Sequence, residues 1–232
     1  MGKHSFYLAM GSLLLGTTGL GASFVYAANQ DEAAHSRVDA AVKVVDQMKQ
    51  QPELARWLAR ADGVFIIPHY GKGGFIVGGQ GGGGVLLERH GSDWSYPAFY
   101  SIAGGSVGAQ AGGEAGAVAM ILMTPKALHK FEDTRSTWSL NGNAGLTVVS
   151  WSGKAQANTG RGDVIVWSDT NGLYGGLTAS VTDISADTGL DRAYYGRSTD
   201  ARQILADQIK NRDADALRHA LDETRSHGVS TG

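Results

Sequence analysis

Apolar residues recur along this chain with two different periods. From Asp31 to Gln50, Ala34, Val38, Ala41, Val42, Val45 and Met48 return every three or four positions, the spacing of one stripe on a helix. Arg37, Asp39, Lys43, Asp46 and Lys49 take the opposite face, which reads as solvated and of mixed sign. A second helix is predicted over 52–61, with Pro52 in the first turn and Leu54, Trp57, Leu58 and Ala61 along one side. At Gly63 the pattern changes. Short apolar runs now stand among glycines, and glycine costs about 1 kcal/mol relative to alanine inside a helix, so this region must be strand and tight turn. Strands are predicted over 64–67, where Pro68 stops the first, and over 75–77, 85–87, 98–103, 115–123, 146–151, 164–168 and 173–181. One helix interrupts them, capped by Thr124, opened by Pro125 and turned inward at Leu128 and Phe131. After Gly196, Ser198 or Thr199 is expected to cap a helix reaching Lys210, and a last helix spans 214–226.

These elements predict an α+β fold: an antiparallel glycine-rich β-sheet system, sandwich or barrel-like, packed with helices at both ends. No period of 20–50 residues repeats, which argues against a solenoid or propeller. The 232 residues include 34 glycines, yet only 18% are charged and aliphatic residues are plentiful, so the chain is globular. The beginning of the chain predicts an export signal. Lys3 supplies a positive start, residues 6–20 an apolar centre, and Val25-Tyr26-Ala27 a small-residue cleavage site. Four segments are expected: a leader over 1–27, helices over 28–62, a glycine-rich β domain over 63–205, and a helical tail over 206–232. With no cysteine the chain can form no disulfide and offers no acylation site, which predicts a periplasmic or secreted product that is not a lipoprotein. The formal charge of −2 gives no support to nucleic-acid binding.

Motifs for catalysis and metal binding are weak. Gly71-Lys72 is followed by Gly73, not by the serine or threonine of a phosphate-binding loop. Gly104-Gly105-Ser106-Val107-Gly108 matches the G-x-S-x-G of a nucleophile elbow, with Asp163 and His219 following in hydrolase order. That pattern needs a strand, an elbow and a helix, and Ala109 to Ala117 is too rich in glycine to be the helix. A serine hydrolase using Ser106 is therefore the enzymatic alternative to a small sheet residue. The histidines lack ligand spacing, and no metal or cofactor is expected. Asp183, Asp187 and Asp191 lie at intervals that suggest a calcium loop, but Thr188 stands where its glycine belongs and Tyr194 where its closing glutamate belongs, so a capped, solvated turn is expected instead. Aromatic residues such as Phe75, Trp94, Tyr100 and Tyr194 lie at strand ends or beside glycines. There they can cover backbone or face a lipid headgroup boundary. An outer-membrane barrel would need longer alternating strands and would not end in polar helices.

The order Ala61-Asp62-Gly63-Val64-Phe65-Ile66-Ile67-Pro68, then Lys72-Gly73-Gly74-Phe75 and Gly81 to Gly84, resembles the opening signature of the SYLF-domain family of lipid-binding proteins. Trp94 with Pro97-Ala98-Phe99-Tyr100, Gly104 to Gly113, Tyr174-Gly175-Gly176-Leu177 and Ala193-Tyr194-Tyr195-Gly196 continue it in order as far as Leu205. Asp191 departs from it, standing where the family usually places asparagine before the paired tyrosines. The resemblance implies a non-enzymatic protein that binds membrane lipid, with phosphoinositide binding in some relatives and actin association in certain eukaryotic ones. For an exported bacterial protein of the envelope this becomes anionic phospholipid, a membrane-associated role, with a purely structural envelope role as a further alternative. The basic residues expected to meet headgroups are Arg37, Lys43, Lys49, Arg56 and Arg60 in the leading helices and Lys72 in the glycine loop.

Overall fold

In the computed structural model the described residues are 18–74, 77–107, 112–132, 147–151, 162–170 and 183–229. They form an α+β structure with six helices against one sheet. The helices are α1 (Thr18–Lys49), α2 (Pro52–Leu58), α3 (Pro125–Glu132), α4 (Thr188–Tyr195), α5 (Ala201–Leu205) and α6 (Asp215–Val229). The strands are β1 (Gly63–Gly74), β2 (Val77–His90), β3 (Asp93–Trp94), β4 (Ala98–Val107), β5 (Gly112–Leu122), β6 (Val148–Trp151), β7 (Val164–Ser168) and β8 (Asp183–Ala186). Their order is β6-β7-β5-β1-β2-β4-β8, with β3 beside β2. Every pairing is antiparallel except β6 with β7, which is parallel. Among the described residues the sheet ends at β6 and at β8, so the barrel-like form considered from the sequence is not realised.

Pro68 does not stop the first strand. The register of β1 slips between Ile66 and His69 against β2 and between Ile67 and Tyr70 against β5, and pairing then resumes as far as Gly74. A bulge tolerates a residue without an N–H, which is why the strand survives its proline. Gly81 to Gly84 likewise belong to β2 instead of forming a turn: Gly81 to Gly83 pair with both β1 and β4, and Gly84 with β4. At Gly84 the reason for glycine is steric. A Cβ there would meet the carbonyl of Ile66 and lie 2.6 Å from Cε2 of Phe65. The Phe65 ring packs edge-on with Tyr100 and Phe131, at centroid separations of 6.0 and 5.2 Å, and the Tyr100 hydroxyl donates to the Phe131 carbonyl at 2.6 Å. This aromatic cluster binds α3 to the sheet.

The stripe predicted on α1 is its packing face: Ala34, Val38, Ala41, Val45 and Met48 are buried, Val42 partly so, against α4, α6 and strands β1 and β2. Thr124 caps α3 by accepting the Ala127 N–H at 3.3 Å, and Leu128 and Phe131 turn inward as expected. Three helical expectations need correction. The segment read as a solvated turn opens α4, whose Leu190 and Tyr194 are buried, with Asp187 accepting the Leu190 N–H at 3.1 Å and Gly196 closing it in the left-handed conformation. The next cap is neither Ser198 nor Thr199. Asp200 forms a reciprocal capping box with Gln203, and the helix it opens stops at Leu205 instead of reaching Lys210. Helix α2 ends at Leu58, before Ala61. The strand expected over 173–181, residues 75–76 of another, and residue 146 lie outside the described residues.

Candidate functional site

Arg56 on α2 and Arg60 just past its end form an exposed pair of cations. Pro52 starts α2, and Leu54, Ala55 and Leu58 bury one side. Its C-terminal carbonyls are gathered by Arg89 of β2, whose Nε donates to Ala61 O at 2.8 Å and whose Nη2 donates to Leu58 O. The same guanidinium stacks 4.1 Å above the ring of Trp94, which is itself fully buried. Helix α2 is thus pinned at its end, where partial negative charge collects. Arg56 and Arg60, four residues apart, are both exposed. Their Nε atoms donate only to the carbonyls of Pro52 and Arg56, each at 3.3 Å, and no carboxylate pairs with either among the described residues. Trp57 lies between them, half-buried against the core edge, where the sequence placed it on the inner face.

The other predicted basic residues are placed differently. Lys49 is held by Asp46 at 2.9 Å and by Glu223 of α6 at 2.8 Å. Desolvation works against its charge, but these two partners outweigh it and raise its pKa. The Arg37 guanidinium lies flat over Gly83 of β2, in the space a side chain there would fill. Its pKa is lowered by burial, partly offset by Asp187. Lys43 is exposed and lines a groove of about 810 Å³ between α1 and strands β1 and β5, shared with Glu32, Asp39, His69 and Asp169. Three carboxylates against one ammonium make that groove a poor place for an anion. Lys72 is in register with Gln80 and Glu114 across its neighbouring strands, and its side chain lies outside the described residues. Of the predicted cations, only Arg56 and Arg60 are brought together.

Ser106 is a residue of β4 opposite Gly78, and the next described element is β5, so no described helix follows it as an elbow requires. Asp163, its candidate partner, accepts the Thr147 N–H at 2.8 Å and the Thr124 hydroxyl at 2.9 Å, bonds that lower its pKa. Among the described residues no group of three or more histidine, aspartate or glutamate side chains could hold a metal, and no helix is long and apolar enough to cross a membrane.

A second site centres on Asp191, in the first turn of α4 and 0% exposed. Its Oδ1 accepts the Phe99 N–H at 2.9 Å, while Oδ2 is buried with no partner among the described residues. Burial pushes its pKa up to about 7, against the Phe99 bond, with the charges of Asp187 and Asp200 adding to the rise. The sequence singles this residue out twice, as a departure from the family pattern and as the last aspartate of the series Asp183, Asp187 and Asp191, and in neither case as a buried group. Its burial was signalled by the spacing of Asp187, Leu190, Asp191 and Tyr194, one helical face behind a cap.

The family described as Ysc84, Las17-binding protein actin regulator, matches residues 103–224, more than half of the chain and all of the region from β4 into α6. The chain belongs to this family, that of the SYLF domain. It is similar to LAS seventeen-binding protein 3 of Saccharomyces cerevisiae, 30% identical over 159 residues that make up 66% of this chain and 34% of the relative. Protein YSC84 of the same yeast is 29% identical over the same shares. The SH3 domain-containing YSC84-like protein 1 of Bos taurus is 27% identical over 173 residues, 72% of this chain and 50% of that protein. The SYLF chain thus spans about a third of the length of its yeast relatives. No solved structure matches it.

Proposed function

We propose that this SYLF-domain protein is a non-enzymatic, membrane-associated protein of the bacterial envelope that docks on anionic phospholipid through α2. The observation that carries this reading is the exposed pair Arg56, on α2, and Arg60, just past its end, on either side of half-buried Trp57 in the sequence, with the helix pinned at its C-terminal end by Arg89. Tryptophan favours the headgroup boundary, and each basic residue close to an anionic bilayer contributes about 1 kcal/mol. Lys72 adds to the attraction at longer range, whereas Lys43 shares its groove with three carboxylates and Lys49 and Arg37 serve mainly the protein's own packing. Export through the leader over 1–27 would place the chain in the periplasm or outside the cell, where phospholipid headgroups replace any intracellular lipid as ligand.

Changing Arg56 and Arg60 together to glutamine tests the site. About 2 kcal/mol of lost attraction corresponds to roughly thirtyfold weaker binding to anionic vesicles. Stability should stay nearly unchanged, because neither arginine has a carboxylate partner among the described residues. Unaltered binding by this variant would remove α2 from the account.

The description of the family and the names of the yeast relatives favour a second reading, in which the domain binds a protein. Those relatives carry about two thirds of their length outside the matched region. Retention of the isolated chain on a protein partner, with no affinity for any vesicle, would favour that reading over the first.

A further inference from the structure

Helix α4 packs against both β4 and α1, among several groups whose charge depends on pH. Asp191 sits where α4 meets β4, with one oxygen committed to Phe99 N–H and the other buried and unpartnered among the described residues. The charges that act on it are acidic: Asp187 one turn earlier on the same helix, and Asp200 at the head of α5. From β4 it faces Tyr100 and from its own helix Tyr195, hydroxyls already committed to the carbonyls of Phe131 and Pro97. From α1, Arg37 acts on Asp187, and His35 packs on the Tyr194 ring at 4.9 Å. His35 stands 3.5 Å from Asp31 and 3.9 Å from Asp213, pairs that attract only when its imidazole is protonated.

We propose that the seam of α4 and β4 is a pH-operated latch, held shut while the Asp191 carboxyl keeps its proton and loosened when that carboxyl ionises. An ionised Asp191 would place a charge at a fully buried oxygen, beside two more acids, and moving α4 off β4 is the motion that lets water reach it. Acid therefore holds α4 against β4, and base releases it. The proposal concerns the protein alone and does not depend on the lipid reading.

Hydrogen exchange of the full chain at pH 5.5 and pH 8, expressed as protection factors so that intrinsic rates cancel, tests the latch. The amides of α4 should lose about tenfold or more protection between the two pH values, and at pH 8 should exchange at least about tenfold faster than those of central strand β1. In Asp191→Asn, whose amide keeps the acceptor for Phe99 N–H and cannot ionise, that loss should shrink to about twofold. Equal losses in parent and variant, or α4 amides exchanging in step with β1 at pH 8, would overturn the proposal. Should the variant fail to fold, the carboxyl carbon of Asp191 in the parent decides by NMR titration. A midpoint near neutrality supports the latch, and one near an ordinary carboxylate's, about 4, overturns it.

Discussion

Asp191 and Phe99 are joined by a hydrogen bond of 2.9 Å from the backbone N–H of strand β4 to the carboxyl of helix α4, which packs against it. The bond favours the ionised carboxyl, yet burial dominates and holds the proton on the group up to about pH 7. The unfolded chain releases that proton near pH 4, so between these values the folded state binds more protons than the unfolded one. The stability this group contributes is therefore complete below pH 4 and is lost as pH rises toward 7. A rise from the ordinary 3.8 to about 7 corresponds to an upper limit of roughly 4 kcal/mol. Urea denaturation should show Asp191→Asn as more stable than the parent at pH 8, with the gap closing toward pH 4. A gap that does not vary with pH would mean that the carboxyl titrates alike in both states.

The two glycines Gly84 and Gly79 lie on the same strand and predict opposite outcomes. A Cβ on Gly84 collides with the Ile66 carbonyl and the Phe65 ring, neither of which can move without shifting β1, whereas a Cβ on Gly79 meets nothing within 4 Å. Gly84→Ala should cost roughly 2 to 3 kcal/mol in thermal or chemical unfolding. Gly79→Ala should be neutral or stabilising by up to about 1 kcal/mol, because it restricts the unfolded chain without strain.

Arg89 predicts how firmly α2 is held. Its guanidinium serves the Leu58 and Ala61 carbonyls and the Trp94 face together. Arg89→Leu keeps bulk but removes the donors, and should cost about 2 to 3 kcal/mol. Amide exchange should rise first in α2, ahead of the sheet. Uniform loss across the fold would show that Arg89 supports the core generally and not α2 in particular.

Much of this architecture is legible in the chain, and its misreadings have physical causes. The run Val164 to Ser168 is wholly apolar up to its last residue, and the structure makes those five residues β7, buried throughout. The α1 stripe is equally plain, because helical period and burial agree. Pro68 and the run Gly81 to Gly84 mislead because each residue taken alone disfavours a strand, while a bulge and a ring-bearing neighbour supply the context that permits it. Helix α4 is hidden by Thr188-Gly189, a poor helical opening that Asp187 compensates by capping Leu190. The site was the least legible part. Lys49 and Arg37 look solvated on a helical wheel, yet Glu223 is 174 residues away in sequence from Lys49, and Gly83 leaves a space that only the folded sheet presents to Arg37.

The central claim is that the exposed cations of this SYLF domain meet anionic headgroups. Co-sedimentation of the mature chain with phosphatidylglycerol vesicles, beside phosphatidylcholine vesicles as the neutral control and across a range of salt, tests it most directly. Attraction of this kind is screened beyond about 8 Å at physiological ionic strength, so binding to the anionic vesicles should be strong at low salt and fall steeply as salt rises. Neutral vesicles should leave the protein in the supernatant. Equal binding to both vesicles, or none to either at low salt, would contradict the account.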